Sequence, residues 1–209
     1  MTATLIIFGG SGFIGQALCK EALDRHMSVV SISKHGKPKT NDKWMSNPLI
    51  TWCAIDVFKD DSWKYYLSSD TCCINLIGIL FENKKKGLTY DKMIVEANRL
   101  ISTEAEKKNR PYLFLSAKGG PCGYIKAKKA AEESLFDKNN PTIIIRSGLV
   151  TTKERPFTYI QGLLIKEATH VPLLKSIVKT VYPTSLNSLV HQILNEILEP
   201  SYKLISDIH

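Results

Sequence analysis

The feature that most constrains this chain is the run from Leu5 to Gly15, Leu-Ile-Ile-Phe-Gly-Gly-Ser-Gly-Phe-Ile-Gly. Its apolar start, Leu5 to Phe8, reads as a buried parallel strand. The run stops at a glycine cluster, and Phe13 to Leu23 then takes up helical spacing. Gly9, Gly10, Gly12 and Gly15 satisfy both G-x-x-G-x-x-G and G-x-G-x-x-G. Gly9 or Gly10 lets the chain turn off the strand, Gly12 lets backbone approach a diphosphate, and Gly15 lets the helix sit close on the strand. The helix start offers unpaired N–H groups and a partial positive charge to phosphate. Strand, glycine loop and helix in this order are the context that turns a weak pattern into a dinucleotide-binding turn. Gly9, Gly10, Ser11, Gly12, Phe13, Ile14 and Gly15 are the expected cofactor loop.

At 209 residues the chain is long enough for one domain with a full core and too short for two large ones. The expectation is a single unit over 1–209, with about 150–209 forming a small substrate or lid region. A hydrophobic share of 44% with 23% charged residues suits a soluble globular protein. The net charge of +8 raises nucleic acid or an anionic membrane as partners. The lysines, however, are scattered or in short clusters (Lys84–Lys86, Lys126–Lys129) with no RNA-binding signature around them. A solvated basic face that favours anionic ligands is the better reading, and no nucleic-acid partner is expected.

The five cysteines are odd in number and form no C-x-x-C, so free buried thiols in a reducing compartment are expected. Cys72 and Cys73 are adjacent in an apparent strand and should point to opposite faces. The five histidines show no metal-ligand spacing, and no metal is assigned. No leader precedes the first strand and no apolar run is long enough to cross a bilayer, which makes the cytoplasm the expected compartment.

Strand and helix signals alternate along the chain. Strands are expected at Ser28–Ser33, Ile50–Val57, Thr71–Leu80, Tyr112–Ser116 and Thr142–Arg146. Helices are expected at Tyr90–Asn109, Tyr124–Phe136 and Leu189–Leu198, with Pro200 after the last. Phe81–Leu88, with three consecutive lysines, reads as a mobile loop. Phe157–Ala168 and Val171–Thr180 read as short helices of a lid. The alternation calls for an α/β fold: a doubly wound, Rossmann-like parallel sheet in three layers, with a small C-terminal helical lid.

In such a sheet, the carboxyl ends of the strands line the ligand crevice. An acid near the end of strand two would hold a ribose 2′-hydroxyl, but the chain has no Asp or Glu between Asp24 and Asp42. It offers Ser33, Lys34, His35 and Lys37, which would welcome a 2′-phosphate. NADP(H) is therefore expected over NAD(H), with the alternative that Lys34 and Lys37 are ordinary loop lysines. Asp56 would accept from an adenine amino group with Val57 against the ring, or else cap the short helix opened by Asp60, Asp61 and Ser62. Gly78 would let the chain pass close to the cofactor ribose.

Tyr124 and Lys128 stand at i and i+4, on one face of a helix. A nearby ammonium would lower the tyrosine pKa, so Tyr124 would exchange a proton with a substrate carbonyl or alcohol. Lys128 would also bond the nicotinamide ribose, and Ser116, at the end of strand five, would hold the substrate oxygen. The bland alternative makes Tyr124 a helix-start anchor and Lys128 one lysine of a solvated face.

The glycine loop, Asp56, Tyr124-x-x-x-Lys128 and Arg146-Ser147-Gly148 resemble the short-chain dehydrogenase/reductase superfamily, in its atypical and extended, NAD-dependent epimerase/dehydratase-like branch. Ser147 stands where that branch usually has proline. Phe-Gly-Gly-Ser-Gly-Phe-Ile-Gly, Asp-Val after strand three, Gly-Ile-Leu after strand four and Gly-Tyr-Ile-x-x-Lys are similar to the mitochondrial proteins that assist coenzyme Q synthesis and to the NADPH-binding accessory subunit of respiratory complex I. This resemblance implies cofactor binding more firmly than turnover. The expected activity is NADPH-dependent oxidoreduction of a small, lipophilic or quinone-related carbonyl compound. The alternative is a non-catalytic NADP(H)-binding scaffold or redox sensor. The apolar tail, with Phe157, Tyr159, Ile160, Leu163, Leu164, Leu173 and Leu174, is the expected substrate pocket. Peripheral contact with an anionic membrane and a monomeric or homodimeric state both stay open.

Overall fold

A computed structural model describes residues 4–40, 42–151, 183–200 and 203–205. The elements run β1 (Thr4–Phe8), α1 (Phe13–Asp24), β2 (Val29–Ser33), β3 (Ile50–Ala54), β4 (Thr71–Asn75), α2 (Ala97–Lys107), β5 (Tyr112–Ala117), α3 (Cys122–Glu133) and β6 (Thr142–Ser147). They continue with β7 (Leu149–Thr151), β8 (Pro183–Ser185), α4 (Leu186–Leu198) and β9 (Lys203–Ile205). Seven strands form one parallel sheet in the order β3-β2-β1-β4-β5-β6-β9. β7 and β8 pair separately. After β3 the chain crosses back to place β4 beside β1. The order thus reverses between β1 and β4, the switch point where sheets of this type hold ligands.

The period of two along each strand divides the core. Leu5 and Ile7 of β1 face a layer built from α1 and α4, where Leu18, Leu189 and Ile193 are buried. Ile6 and Phe8 face α2 and α3, with Trp63, Ile101 and Ala131. Cys72 and Cys73 go to opposite faces as their adjacency requires, and the described cysteines are free, all buried except Cys122. A buried polar chain ties the layers together. Asn75 Nδ2 donates to the Tyr112 hydroxyl at 2.9 Å, which donates to Asn98 Oδ1 at 2.7 Å, and Asn98 Nδ2 donates to the Ala131 carbonyl at 3.1 Å.

Several boundaries differ from expectation for local reasons. β4 stops at Asn75, not Leu80, because the Asn75 side chain accepts from Ile77 N at 3.0 Å and turns the chain out of the sheet. β3 stops at Ala54, so Asp56 and Val57 lie in the loop beyond it. The helix expected from Tyr90 begins as a π-helical turn over Asp91–Glu96 before α2. Phe81–Leu88, expected to be mobile, contains a turn closed by a bridge between Asn83 and Leu88. The expected helix at Leu189–Leu198 is part of α4, which packs beside α1 in the sheet's outer layer and does not cover the crevice. The lid helices expected at 157–168 and 171–180 lie outside the described residues.

Two contacts show why the glycine loop cannot carry side chains. Gly9 turns off β1 at φ +86°, a conformation that disfavours a β-carbon. A β-carbon on Gly15 would stand 2.4 Å from the Gly9 carbonyl oxygen and 2.6 Å from Gly10 Cα. On Gly10 it would stand 2.2 Å from Ser31 Oγ of β2 and 3.0 Å from Ser31 Cβ. Gly10→Ala is therefore expected to destabilise the fold by about 1–3 kcal/mol through overpacking. Adding Ser31→Gly should recover part of the loss. Urea unfolding midpoints of the two variants check this; an undiminished midpoint for Gly10→Ala would contradict the contact.

Candidate functional site

The glycine loop leaves α1 with its N-terminus open to the crevice. Gly12 is the N-cap and no side chain caps the helix, nor does its first turn carry an acid. The loop is held from β2, where Ser33 Oγ accepts from Ser11 N at 3.1 Å. Gly9, Ser11 and Gly12 line one end of a cleft of about 310 Å³ that runs over the carboxyl ends of β1, β2 and β3. Ser33, Lys34, His35, Asp56, Val57 and Gly78 line it too. Gly10, Phe13, Ile14 and Gly15 do not. Gly10 and Gly15 serve the tight packing of the loop, and Ile14 packs against the α1 core. Lys37 points elsewhere, donating to Ser46 Oγ at 3.2 Å.

Asp56 does not cap the short helix; Asp60 does, accepting from Ser62 N at 2.8 Å. The Asp56 carboxylate instead accepts from Phe58 N at 3.2 Å and lies 3.5 Å from Lys34 Nζ. The two residues singled out for opposite ends of an adenosine, base and 2′-phosphate, thus face each other across the β2 and β3 ends. The far wall of the cleft includes Lys86, Gly87, Leu88, Lys92 and Met93. None of these was singled out from sequence; the one available signal was the unusual density of lysine after strand four.

Beyond Gly78, α3 brings in the reactive candidates. Lys128 is only 5% exposed, and its Nζ donates to the Leu115 carbonyl at 2.6 Å. The same Nζ stands 3.7 Å from the point where a Gly78 β-carbon would be, and 4.5 Å from the centroid of the Phe114 ring. Burial pulls the Lys128 pKa down to about 7, against the opposing effect of Glu132. Ser116, 2% exposed at the end of β5, has no hydrogen-bond partner for its Oγ among the described residues. Tyr124 is wedged between Gly120 and the ring of Tyr90, whose centroid is 6.1 Å away.

The lowering of the Tyr124 pKa expected from Lys128 is not what the site produces; the shift is upward. Burial, with a smaller contribution from Tyr90, pushes the Tyr124 hydroxyl up to about 12. Lys128 Nζ is 5.8 Å from the Tyr124 ring centroid, and with its pKa near 7 it carries only part of a charge at neutral pH. Lys128 is also no member of a solvated face, so the bland reading of that residue fails. Sequence reading missed Glu132, 3% exposed and one turn beyond Lys128. Its carboxylate accepts from Arg146 Nε of β6 at 3.0 and 3.1 Å, which raises the Arg146 pKa.

The sequence profile of the NAD dependent epimerase/dehydratase family matches residues 5–142. The chain belongs to this family. It is 34% identical over 179 residues to MIOREX complex component 2 of Saccharomyces cerevisiae, an alignment covering 78% of this chain and 59% of that protein. It is 28% identical over 162 residues to an uncharacterized chloroplastic protein of Arabidopsis thaliana, covering 72% of this chain and 52% of that one. The chain therefore spans little more than half the length of these relatives. In fold it is similar to a UDP-glucuronic acid 4-epimerase variant from Bacillus cereus solved with NAD, at TM-score 0.71 and 15% identity, over 97% of this chain and 76% of that one. A UDP-N-acetylglucosamine 4-epimerase from Methanobrevibacter ruminantium gives TM-score 0.74 at 12% identity, over 99% and 76%. At these identities the likeness concerns the fold alone, and it extends to the doubly wound sheet that family membership leads one to expect.

Within this family member, Lys128 makes stability depend on pH in a definite direction. Its folded pKa lies near 7 and its unfolded value near 10.5. Between these the unfolded chain holds the extra proton, so unfolding free energy rises with pH. The gain is absent below about pH 7, where both states are protonated, and complete above about 10.5. Denaturant unfolding between about pH 7 and 9, below the range in which the buried Cys19 and Cys73 thiols oppose it, should show this rise, and Lys128→Met should flatten it. A slope unchanged by that substitution would contradict the buried, neutral-leaning amine.

Proposed function

We propose that the protein binds a nicotinamide dinucleotide in this cleft, NADP(H) in preference to NAD(H), and uses it in oxidoreduction of a small carbonyl or quinone-related compound. The observation that carries the proposal is the uncapped α1 N-terminus opening into the same cleft as Gly78, with buried Lys128 directly behind that glycine. The residues fit the cofactor's chemistry. Gly9–Gly12 and the first turn of α1 would take the diphosphate. Asp56 and Val57 would take the adenine, Ser33 and Lys34 its ribose, and Lys128 the nicotinamide ribose. Three lysines and one carboxylate line the cleft, a balance that suits a ligand with an additional phosphate.

When bound, the nicotinamide ring would supply or accept a hydride. The chain's own part is the proton and the orientation of the substrate. Tyr124, protonated at neutral pH, would donate to a carbonyl oxygen, as a weaker acid than a free tyrosine because burial raises its pKa. Ser116 Oγ, buried without a partner, is suited to holding that same oxygen. On this proposal 1–209 acts as one nucleotide-binding unit, and the part of the region about 150–209 that forms α4 supports the outer layer beside α1. The apolar tail residues named for the pocket, from Phe157 to Leu174, lie outside the described residues. Among those that are described, no helix is long and apolar enough to cross a membrane. The buried free thiols support a reducing compartment such as the cytoplasm.

A second reading, a non-catalytic NADP(H)-binding scaffold or sensor, is favoured by one observation. Lys128 Nζ is engaged by the Leu115 carbonyl, and burial raises the Tyr124 pKa instead of lowering it. The yeast relative is described as a complex component, which is in keeping with that role. One pair of measurements separates the two. Both readings expect NADPH at about 100 times its dissociation constant to add on the order of 2.7 kcal/mol of stability, visible as a thermal shift. Only the enzymatic one expects NADPH oxidation against a panel of carbonyl compounds, falling about 100-fold or more in Tyr124→Phe. Turnover at equal rates in both proteins would remove Tyr124 from the mechanism, and stabilisation without turnover would leave the scaffold.

A further inference from the structure

The proposed nucleotide site has an uneven distribution of charge between its walls. Four side chains of fixed charge line the cleft: Lys34, Asp56, Lys86 and Lys92. The single carboxylate lies 3.5 Å from Lys34 Nζ, so the sheet-side pair largely cancels. The surplus positive charge sits opposite, on Lys86 and Lys92. Of the acids flanking that wall, Asp91, adjacent to Lys92, and Glu82 both lie off the cleft. Glu82 accepts from Tyr90 N at 2.8 Å and approaches Lys84 Nζ at 4.0 Å. Among the described residues no ion pair engages Lys86 or Lys92.

The backbone of Lys86 and the ammonium of Lys92 are placed by local structure. Asn83 and Leu88 exchange two backbone hydrogen bonds, of 2.8 and 3.0 Å, which close the turn. Asn83 Oδ1 accepts from Lys86 N at 3.2 Å, fixing the backbone of Lys86 within it. Lys92 Nζ stands 5.1 Å from the centroid of the Phe58 ring, a cation resting on an aromatic face. Phe58 follows Asp56 and Val57, so Lys92 belongs to the end of the cleft assigned to adenosine.

We propose that Lys86 and Lys92 determine the nucleotide selectivity of this site by gripping the 2′-phosphate that NADP(H) has and NAD(H) lacks. The inference rests on the nucleotide reading of the cleft. Two ammonium groups without a carboxylate, in a cleft with apolar walls, match the charge of one phosphate monoester. Lys34 alone does not, because Asp56 already offsets it. A lysine contact to the diphosphate would help both nucleotides equally; a contact to the 2′-phosphate helps one.

The test is titration of the full chain with NADPH and with NADH, for the native protein, Lys86→Gln, Lys92→Gln and the double variant. Glutamine keeps the length and removes the charge. The double variant should weaken NADPH binding about tenfold or more and leave NADH binding unchanged. Lys85→Gln, exposed in the same turn but not on the cleft, should leave the ratio of the two constants as it was. Equal weakening of both nucleotides, or an unmoved ratio in the double variant, would overturn the inference while leaving the nucleotide site standing. Native protein that binds neither nucleotide would overturn the site and the inference together. Circular dichroism of each variant keeps a folding defect from passing as a binding one.

Discussion

The structure depends on how closely one turn of backbone lies against the start of one helix. The loop leaving β1 folds back so tightly on α1 that a single added carbon at Gly15 would meet the Gly9 carbonyl oxygen at 2.4 Å. This packing leaves the helix N-terminus bare, since no side chain reaches it as a cap. A bare N-terminus costs stability because its N–H groups lack partners and its dipole lacks a counter-charge. The same deficit makes it a site for an anion. The switch in strand order beside β1 then opens a crevice over this point. A loop sequence with ordinary side chains would fill the space in which a diphosphate could lie.

Around this turn the protein combines surface charge with buried amine. Lys128 is drawn into the core by α3, and its ammonium is satisfied by one carbonyl and by the faces of Phe114 and Tyr124. That is little compensation for a full charge in an apolar place, so the amine leans toward its neutral form. Glu132, one turn on, opposes the shift, yet its carboxylate is engaged by Arg146 of β6. The pair braces α3 against the sheet and moderates the field at Lys128. The buried chain through Asn75, Tyr112 and Asn98 does the same for the other side, linking the end of β4, from which the Gly78 loop departs, to α2 and α3.

The order of strands and helices was legible because apolar and β-branched runs of sequence are cut by glycine, proline and charge at nearly every boundary. In the glycine loop the turn, left open between Gly9 and Gly10, falls at Gly9, and Gly15 packs against the loop as its place in the pattern suggested. What could not be read was tertiary. That Asn75 would end β4 depends on a side-chain bond to Ile77. Asp56 meeting Lys34 depends on two strand ends being neighbours. The Tyr124 pKa rises because Tyr90 and Gly120 enclose the ring, whereas spacing alone suggested a lowering by Lys128. Glu132 looked like one acid in a helix rich in Ala, Lys and Glu, and only the facing strand shows that it is buried. Lys86 and Lys92 reach the cleft from across it, from a segment whose composition suggested mobility.

The most direct test of this account is a crystal structure grown with NADPH in large excess over the protein. The account predicts density for the diphosphate against Gly12 at the start of α1, the adenine beside Asp56 and Val57, and the nicotinamide end reaching Gly78 and Lys128. A cleft that stays empty under those conditions, or a nucleotide seated away from the α1 N-terminus, would contradict it.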